Sequence, residues 1–135
     1  MKANMVLMLL ASLATGCQFI ARGPEQYRDD TRQLLESNSG SLKSCYDGVI
    51  RTDKAAAGTV TVNFTVENET GRIKDVKVDD AGSSAPQPVR DCVVNAITGL
   101  QLDPADARDG KATFTYEFEI GQAASAQAEG ATTGS

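Results

Sequence analysis

Three cysteines, Cys17, Cys45 and Cys92, and the lack of any histidine set the chemistry open to this 135-residue chain. Without an imidazole there is no Ser-His-Asp or Cys-His nucleophile and no His-rich zinc site. Carboxylates remain, with 18 Asp and Glu against 13 Lys and Arg and a net charge of -5. A pair such as Asp79 and Asp80 could in principle share a proton or hold a divalent ion. Adjacent residues of a strand point to opposite faces, however, so these two do not converge. The segment "DPADARDG", residues 103–110, is rich in carboxylates, but its spacing departs from the EF-hand calcium pattern. No catalytic, cofactor-binding or metal-binding residue emerges. The expectation is a non-enzymatic protein, with a small metal-dependent enzyme as the weaker alternative. The acidic balance argues against nucleic acid, whose phosphates require clustered Lys and Arg, and no small-molecule substrate is indicated.

An odd cysteine in a short chain calls for an explanation of its own. Residues 1–17 read "MKANMVLMLLASLATGC": one Lys, an apolar run from Met5 to Leu10, then small residues up to Cys17. The run falls short of the roughly 20 residues that span a bilayer and has the form of a secretory signal. Its end, "LATGC", resembles the lipobox of bacterial lipoproteins, with Ala14 where Leu is usual and Leu13 one place early. The resemblance implies cleavage after Gly16, a signal peptide over 1–16, and Cys17 carrying a diacylglyceryl thioether and usually an amide-linked acyl chain. Several chains hold a protein stably, since each buried methylene contributes about 0.8 kcal/mol and one chain alone is marginal. Gln18 in place of Asp implies, by enterobacterial sorting, the outer membrane. The expected location is the cell envelope, lipid-anchored on the periplasmic side.

With Cys17 acylated, Cys45 and Cys92 remain in an oxidising compartment and are expected to bridge. Closing a loop of roughly 48 residues stabilises by about 4 kcal/mol in the chain-entropy picture. That is a large share for a folded part of about 80 residues, whose core alone supplies about 3–5 kcal/mol.

The elements that must position these residues follow from periodicity. Residues 17–40 read as the lipidated cysteine, a polar tether broken at Gly23 and Pro24, and a partly helical lead over 28–37 whose apolar content is only Leu34 and Leu35. "NSGS" at 38–41 interrupts it and offers Ser39 or Ser41 as a fresh N-cap. Leu42, Cys45, Tyr46, Val49 and Ile50 form one helical stripe, which places Cys45 on the buried face. From Gly58 the period becomes two: Val60, Val62, Phe64 and Val66 alternate with Thr59, Thr61, Asn63 and Thr65. "ENETGR" makes a hairpin turn with Gly71 suited to positive φ. In the next strand Ile73 falls out of phase with Val76 and Val78, which a bulge near Lys74 or Asp75 would reconcile. Pro88 opens a second helix, whose stripe is Val89, Val93, Ala96, Ile97 and Leu100 with Cys92 on the same side. "KATFTYEFEI" is the third strand, with Phe114, Tyr116, Phe118 and Ile120 facing one way. Residues 121–135, small, polar and of low complexity, are expected to be disordered.

Helix, strand, strand, helix, strand, with one cysteine ahead of the hairpin and one in the second helix, resembles the AgmX/PglI C-terminal domain proteins, themselves similar to the C-terminal domain of TonB. The residues that carry the likeness are "CYDGVI...GTVTVNFTVENETGRIKDVKV", "VRDCVVNAITGLQL" and "FTYEFEI". It covers residues 41–120. Family members commonly have a Trp and a Phe-Pro pair after the second helix; here "GLQLDP" puts Leu100 and Leu102 in their place. The resemblance implies a two-layer α+β fold, a three-stranded antiparallel sheet with helices on one face, and a cell-envelope setting that for some relatives involves gliding motility or surface polysaccharide; the expected setting here is a motility or envelope-transport assembly. With four Pro and a tether of a few residues, the chain is not expected to span the periplasm as a TonB transducer does.

If the connection into the third strand is right-handed, that strand pairs with the first and becomes a sheet edge. The opposite edge is guarded by Lys74, Asp75, Lys77, Asp79 and Asp80. The third strand, with Thr113, Thr115, Glu117 and Glu119 along it, is therefore the expected site where an extended segment of an envelope protein adds to the sheet. The alternative is an accessory lipoprotein that only props up a larger envelope complex.

Overall fold

Alternation of apolar and polar residues drives the sheet, and the two flanking helical stripes cover it. The structure is a computed structural model that describes residues 20–120 and, as backbone, residues 125–133. Cys17, the segment ahead of it, and positions 121–124 and 134–135 lie outside the described residues. In chain order the elements are α1 (Pro24–Ser37), α2 (Ser39–Thr52), β1 (Gly58–Val66), β2 (Ile73–Asp79), α3 (Gln87–Ile97), β3 (Gly110–Phe118) and β4 (Ser125–Thr133). The strands form one antiparallel sheet in the order β2-β1-β3-β4. The molecule is thus a small α+β domain.

Val60, Val62, Phe64 and Val66 of β1 and Ala112, Phe114, Tyr116 and Phe118 of β3 are all buried on one side. There they share a single core with Leu42 and Tyr46 of α2 and Val89, Val93 and Ile97 of α3. Tyr46 packs against Phe118 with ring centroids 4.8 Å apart, and its hydroxyl donates to the Ala56 carbonyl at 2.7 Å. The expected bulge is present. The β1–β2 register shifts between Asn63 and Thr65, and Asp75 opposite it sits at φ 55°. Ile73 is therefore buried before the bulge, while Val76 and Val78 pack against the core after it. Gly71, at φ 69°, meets a second constraint: a Cβ there would fall against the carbonyl oxygen of Leu102, so side chain and backbone approach are both refused.

Four expectations are corrected. The lead helix begins at Pro24 and, although much of it is solvated as expected, carries a buried stripe: Tyr27, Thr31 and Leu35, at i, i+4 and i+8, are buried. Its polar hydroxyls disguised that stripe. The cap of α2 is Asn38 rather than Ser39 or Ser41, and the Asn38 side-chain amide donates to the Ala96 carbonyl of α3. Cys45 is exposed, while Cys92 is buried. The S–S bond leaves α2 at the margin of its packed stripe and reaches down to α3. Lastly, β3 ends at Phe118, and Ile120 is 68% exposed instead of joining the core.

The tail brings the largest difference. A disordered stretch was expected over 121–135, yet residues 125–133 form β4 along β3. The sheet has four strands where three were expected.

Candidate functional site

β3 pairs with β1 without interruption from Gly110↔Val66 to Phe118↔Gly58. Its other side, the expected docking edge, is filled by β4, from Gly110↔Thr133 to Glu117↔Ser125. The edge-strand reading of Thr113, Thr115, Glu117 and Glu119 is therefore corrected. β3 is an interior strand, and β4 forms that margin of the sheet. The physical reason lies in backbone satisfaction: a strand of small and polar residues gains from pairing with bare N–H and C=O groups even when it buries little. The signal in "SAQAEGATT" is faint: Ala126 and Ala128 alternate with Ser125, Gln127 and Glu129, but without a large apolar side chain the stretch has the composition of a low-complexity tail.

The four side chains do not gather into one group. The Thr113 hydroxyl donates to Asn63 Oδ1 at 2.6 Å, and the Thr115 and Thr61 hydroxyls lie 2.9 Å apart. Both pairs stand on the sheet face opposite the helices, where cross-strand Thr contacts brace β1 against β3. Glu117 is exposed on the same face, and Glu119 lies beyond the end of β3. A shallow depression of about 390 Å³ on that face is lined by Asn63, Thr65, Asp75, Lys77, Lys111 and Thr113. The β3–β4 register shifts between Ala112 and Phe114.

Cys45 and Cys92 are joined, with Cα atoms 5.7 Å apart. The bridge ties α2 to α3, and so fixes the helical layer behind β1 and β3.

At the other boundary of the domain is a centre that the sequence did not disclose. Arg22, read as tether, is 2% exposed. Its Nε donates to Asp30 at 2.6 Å, its Nη2 to the Pro104 carbonyl at 2.8 Å, and its backbone N–H to Asp106 Oδ2 at 2.9 Å. Asp106 is itself buried, and its carboxylate lies 3.8 Å from Arg22 Nη1. Two carboxylates thus compensate one buried guanidinium, which a buried charge requires. Beside it, the Tyr27 hydroxyl is buried without a hydrogen-bond partner among the described residues. Burial, and next the nearby Asp106 carboxylate, push its ionisation far above the usual phenol range. It is a neutral packing group.

The acidic candidates do not assemble. Asp80 pairs with Arg90 at 2.7 Å, whereas Asp79 accepts from the Ala81 N–H. Among the described residues no cluster of three or more Cys, Asp or Glu has metal-binding geometry. No helix among them is long and apolar enough to cross a membrane.

Compared with protein families, curated proteins and solved structures, the chain finds no match in any of the three.

Proposed function

We propose that this chain is a non-enzymatic, lipid-anchored module of the bacterial cell envelope that docks an extended segment of a partner protein on the outer edge of β3, in exchange for its own β4. The "LATGC" sequence supports an anchor at Cys17, and Gln18 an outer-membrane address. The bridge between Cys45 and Cys92 fits an oxidising compartment. The helix-strand-strand-helix-strand order is the one that the AgmX/PglI and TonB C-terminal resemblance implies, with a motility or envelope-transport assembly as the setting.

One observation carries the docking role. The edge of β3 is covered by a strand without a single large apolar side chain, and its register shifts halfway along, between Ala112 and Phe114. Pairing through the backbone is sequence-tolerant, so a partner strand with larger alternate side chains would hold the same edge more firmly. β4 keeps the edge from pairing indiscriminately until such a segment arrives.

A photo-crosslinking residue at Thr113 or Glu117 of the full lipidated chain, in cells, tests this. Cross-links to an envelope protein should rise several-fold when residues 122–135 are deleted. A yield indifferent to that deletion would place the docking surface elsewhere and favour the accessory role.

A further inference from the structure

The domain is held from Ile20 onward, three residues after the proposed anchor at Cys17, on which this inference rests. The Ile20 N–H donates to the Ala105 carbonyl at 3.3 Å, and the Ala107 N–H to the Ile20 carbonyl at 3.0 Å. Two residues on, the Arg22 contacts with Asp106, Pro104 and Asp30 lock the segment in place. Only three residue steps separate Cys17 from Ile20, and a fully extended chain covers about 10 Å in that distance. The leash is thus short compared with the domain.

The loop that Ile20 joins belongs to one end of the sheet. The Leu102 N–H donates to the Gly71 carbonyl at 2.8 Å, the Glu69 N–H to Asp106 at 3.3 Å, and the Gln101 side chain to the Thr70 carbonyl at 2.7 Å. The loop over 99–109 therefore sits against the β1–β2 turn, where β1 ends and β3 starts. The nine residues of β1 carry the sheet about 27 Å from there to its other end at Gly58. A leash of about 10 Å rules out an orientation in which the far end alone rests on the surface in which Cys17 is fixed, since that would lift Ile20 well beyond its reach.

We propose that the end formed by Ile20–Arg22, the turn over 67–72 and the loop over 99–109 lies on the bilayer, with the phospholipid headgroup layer as its partner. Its surface fits such a partner. Exposed Arg72 and Arg108 stand among exposed Glu69, Asp103 and Asp109, a mixture that meets both the phosphate and the ammonium of a zwitterionic headgroup. Beside them a concavity of about 570 Å³ is lined by Gln26, Gln33 and Gln101 together with Arg22, Asp30 and Asp103, a polar shelf of slight negative charge whose carboxylates suit the ammonium of the headgroup rather than its phosphate. The opposite end then points away from the membrane. It carries exposed Ile120 next to Ile50, Arg51 and Lys54, and β3 runs outward from Gly110 to Phe118.

The chain has no Trp, so single tryptophans report position directly. Arg72→Trp and Gln101→Trp mark the membrane end, and Lys54→Trp and Ile120→Trp the far end. Each full-length lipidated variant is placed in phosphatidylcholine vesicles carrying a nitroxide on the headgroup, after circular dichroism has verified its fold and mass measurement its lipid. Quenching should be at least about twofold stronger at both membrane-end positions than at both far-end positions. Twenty Gly/Ser residues inserted between Gln18 and Phe19 give a leash of about 25 Å and should erase the contrast. Equal or reversed quenching in lipidated protein overturns this orientation, as does a contrast that survives the spacer undiminished. A mature mass without acyl groups overturns the anchor reading itself, a different result from either.

Discussion

Two buried tyrosines show how much depends on whether a hydroxyl finds its partner. Tyr46 donates to the Ala56 carbonyl, whereas the Tyr27 hydroxyl is buried beside Gly110 with no partner among the described residues. Removing the first leaves an orphaned carbonyl in the core; removing the second relieves a desolvated donor. Tyr46→Phe should therefore lower stability by about 1 kcal/mol. Tyr27→Phe should leave it unchanged or raise it slightly, as denaturant titration of both variants would measure. Arg22 and Asp106 belong to the same scale. Truncating Asp106 to Ala removes the buried acceptor of the Arg22 backbone N–H and one of two carboxylates near its guanidinium, and should cost about 3–5 kcal/mol, with Asp30 still bound to Nε. None of this was legible in "FIARG", because a polar residue next to Gly and Pro has the composition of a linker whether or not it is buried.

At the scale of elements, two braces differ in their response to conditions. The disulfide holds α2, which buries only Leu42 and Tyr46 fully, to the better-packed α3. Replacing both Cys45 and Cys92 by Ala should lower stability by about 2–4 kcal/mol, read from the shift in the urea midpoint. The second brace is ionic. Lys74 on β2 donates to Glu67 at 2.7 Å, and this hydrogen bond, followed by one from Thr70, holds the Glu67 carboxyl below its ordinary range. Glu67 in turn raises Lys74. A lowered carboxyl contributes stability that is present above its unfolded value and is lost as pH falls through its folded one. The melting-temperature gap between wild type and Glu67→Gln should accordingly be small and constant near neutrality, and close below about pH 4. The bulge at Asp75 belongs among the elements too. It was readable because a strand that buries one face cannot change phase without an extra residue, and Ile73 and Val76 differ in parity.

For the whole molecule, the tail decides which surfaces are free. β4 lies along β3 and next to α1. Deleting residues 122–135 should leave α2, α3, β1 and β2 protected, and raise amide hydrogen exchange in β3 and α1. Uniform loss of protection throughout would instead make β4 part of the cooperative core. The truncated chain should also self-associate with rising concentration, because it bares a paired-strand edge.

The sequence by itself determined the alternating strands, the two helical stripes and the bulge, because each depends on local period or on which side chains must leave water, while the joining of Cys45 to Cys92 followed from the cysteine count once Cys17 was set apart. Tertiary structure alone decided that Arg22 is buried, that α1 buries a stripe of Tyr27, Thr31 and Leu35, that Cys45 is the exposed half of its bridge, and that β4 closes the edge of β3. Those outcomes depend on backbone and charged groups finding partners far along the chain. Such partners leave no periodic trace in the residues that need them.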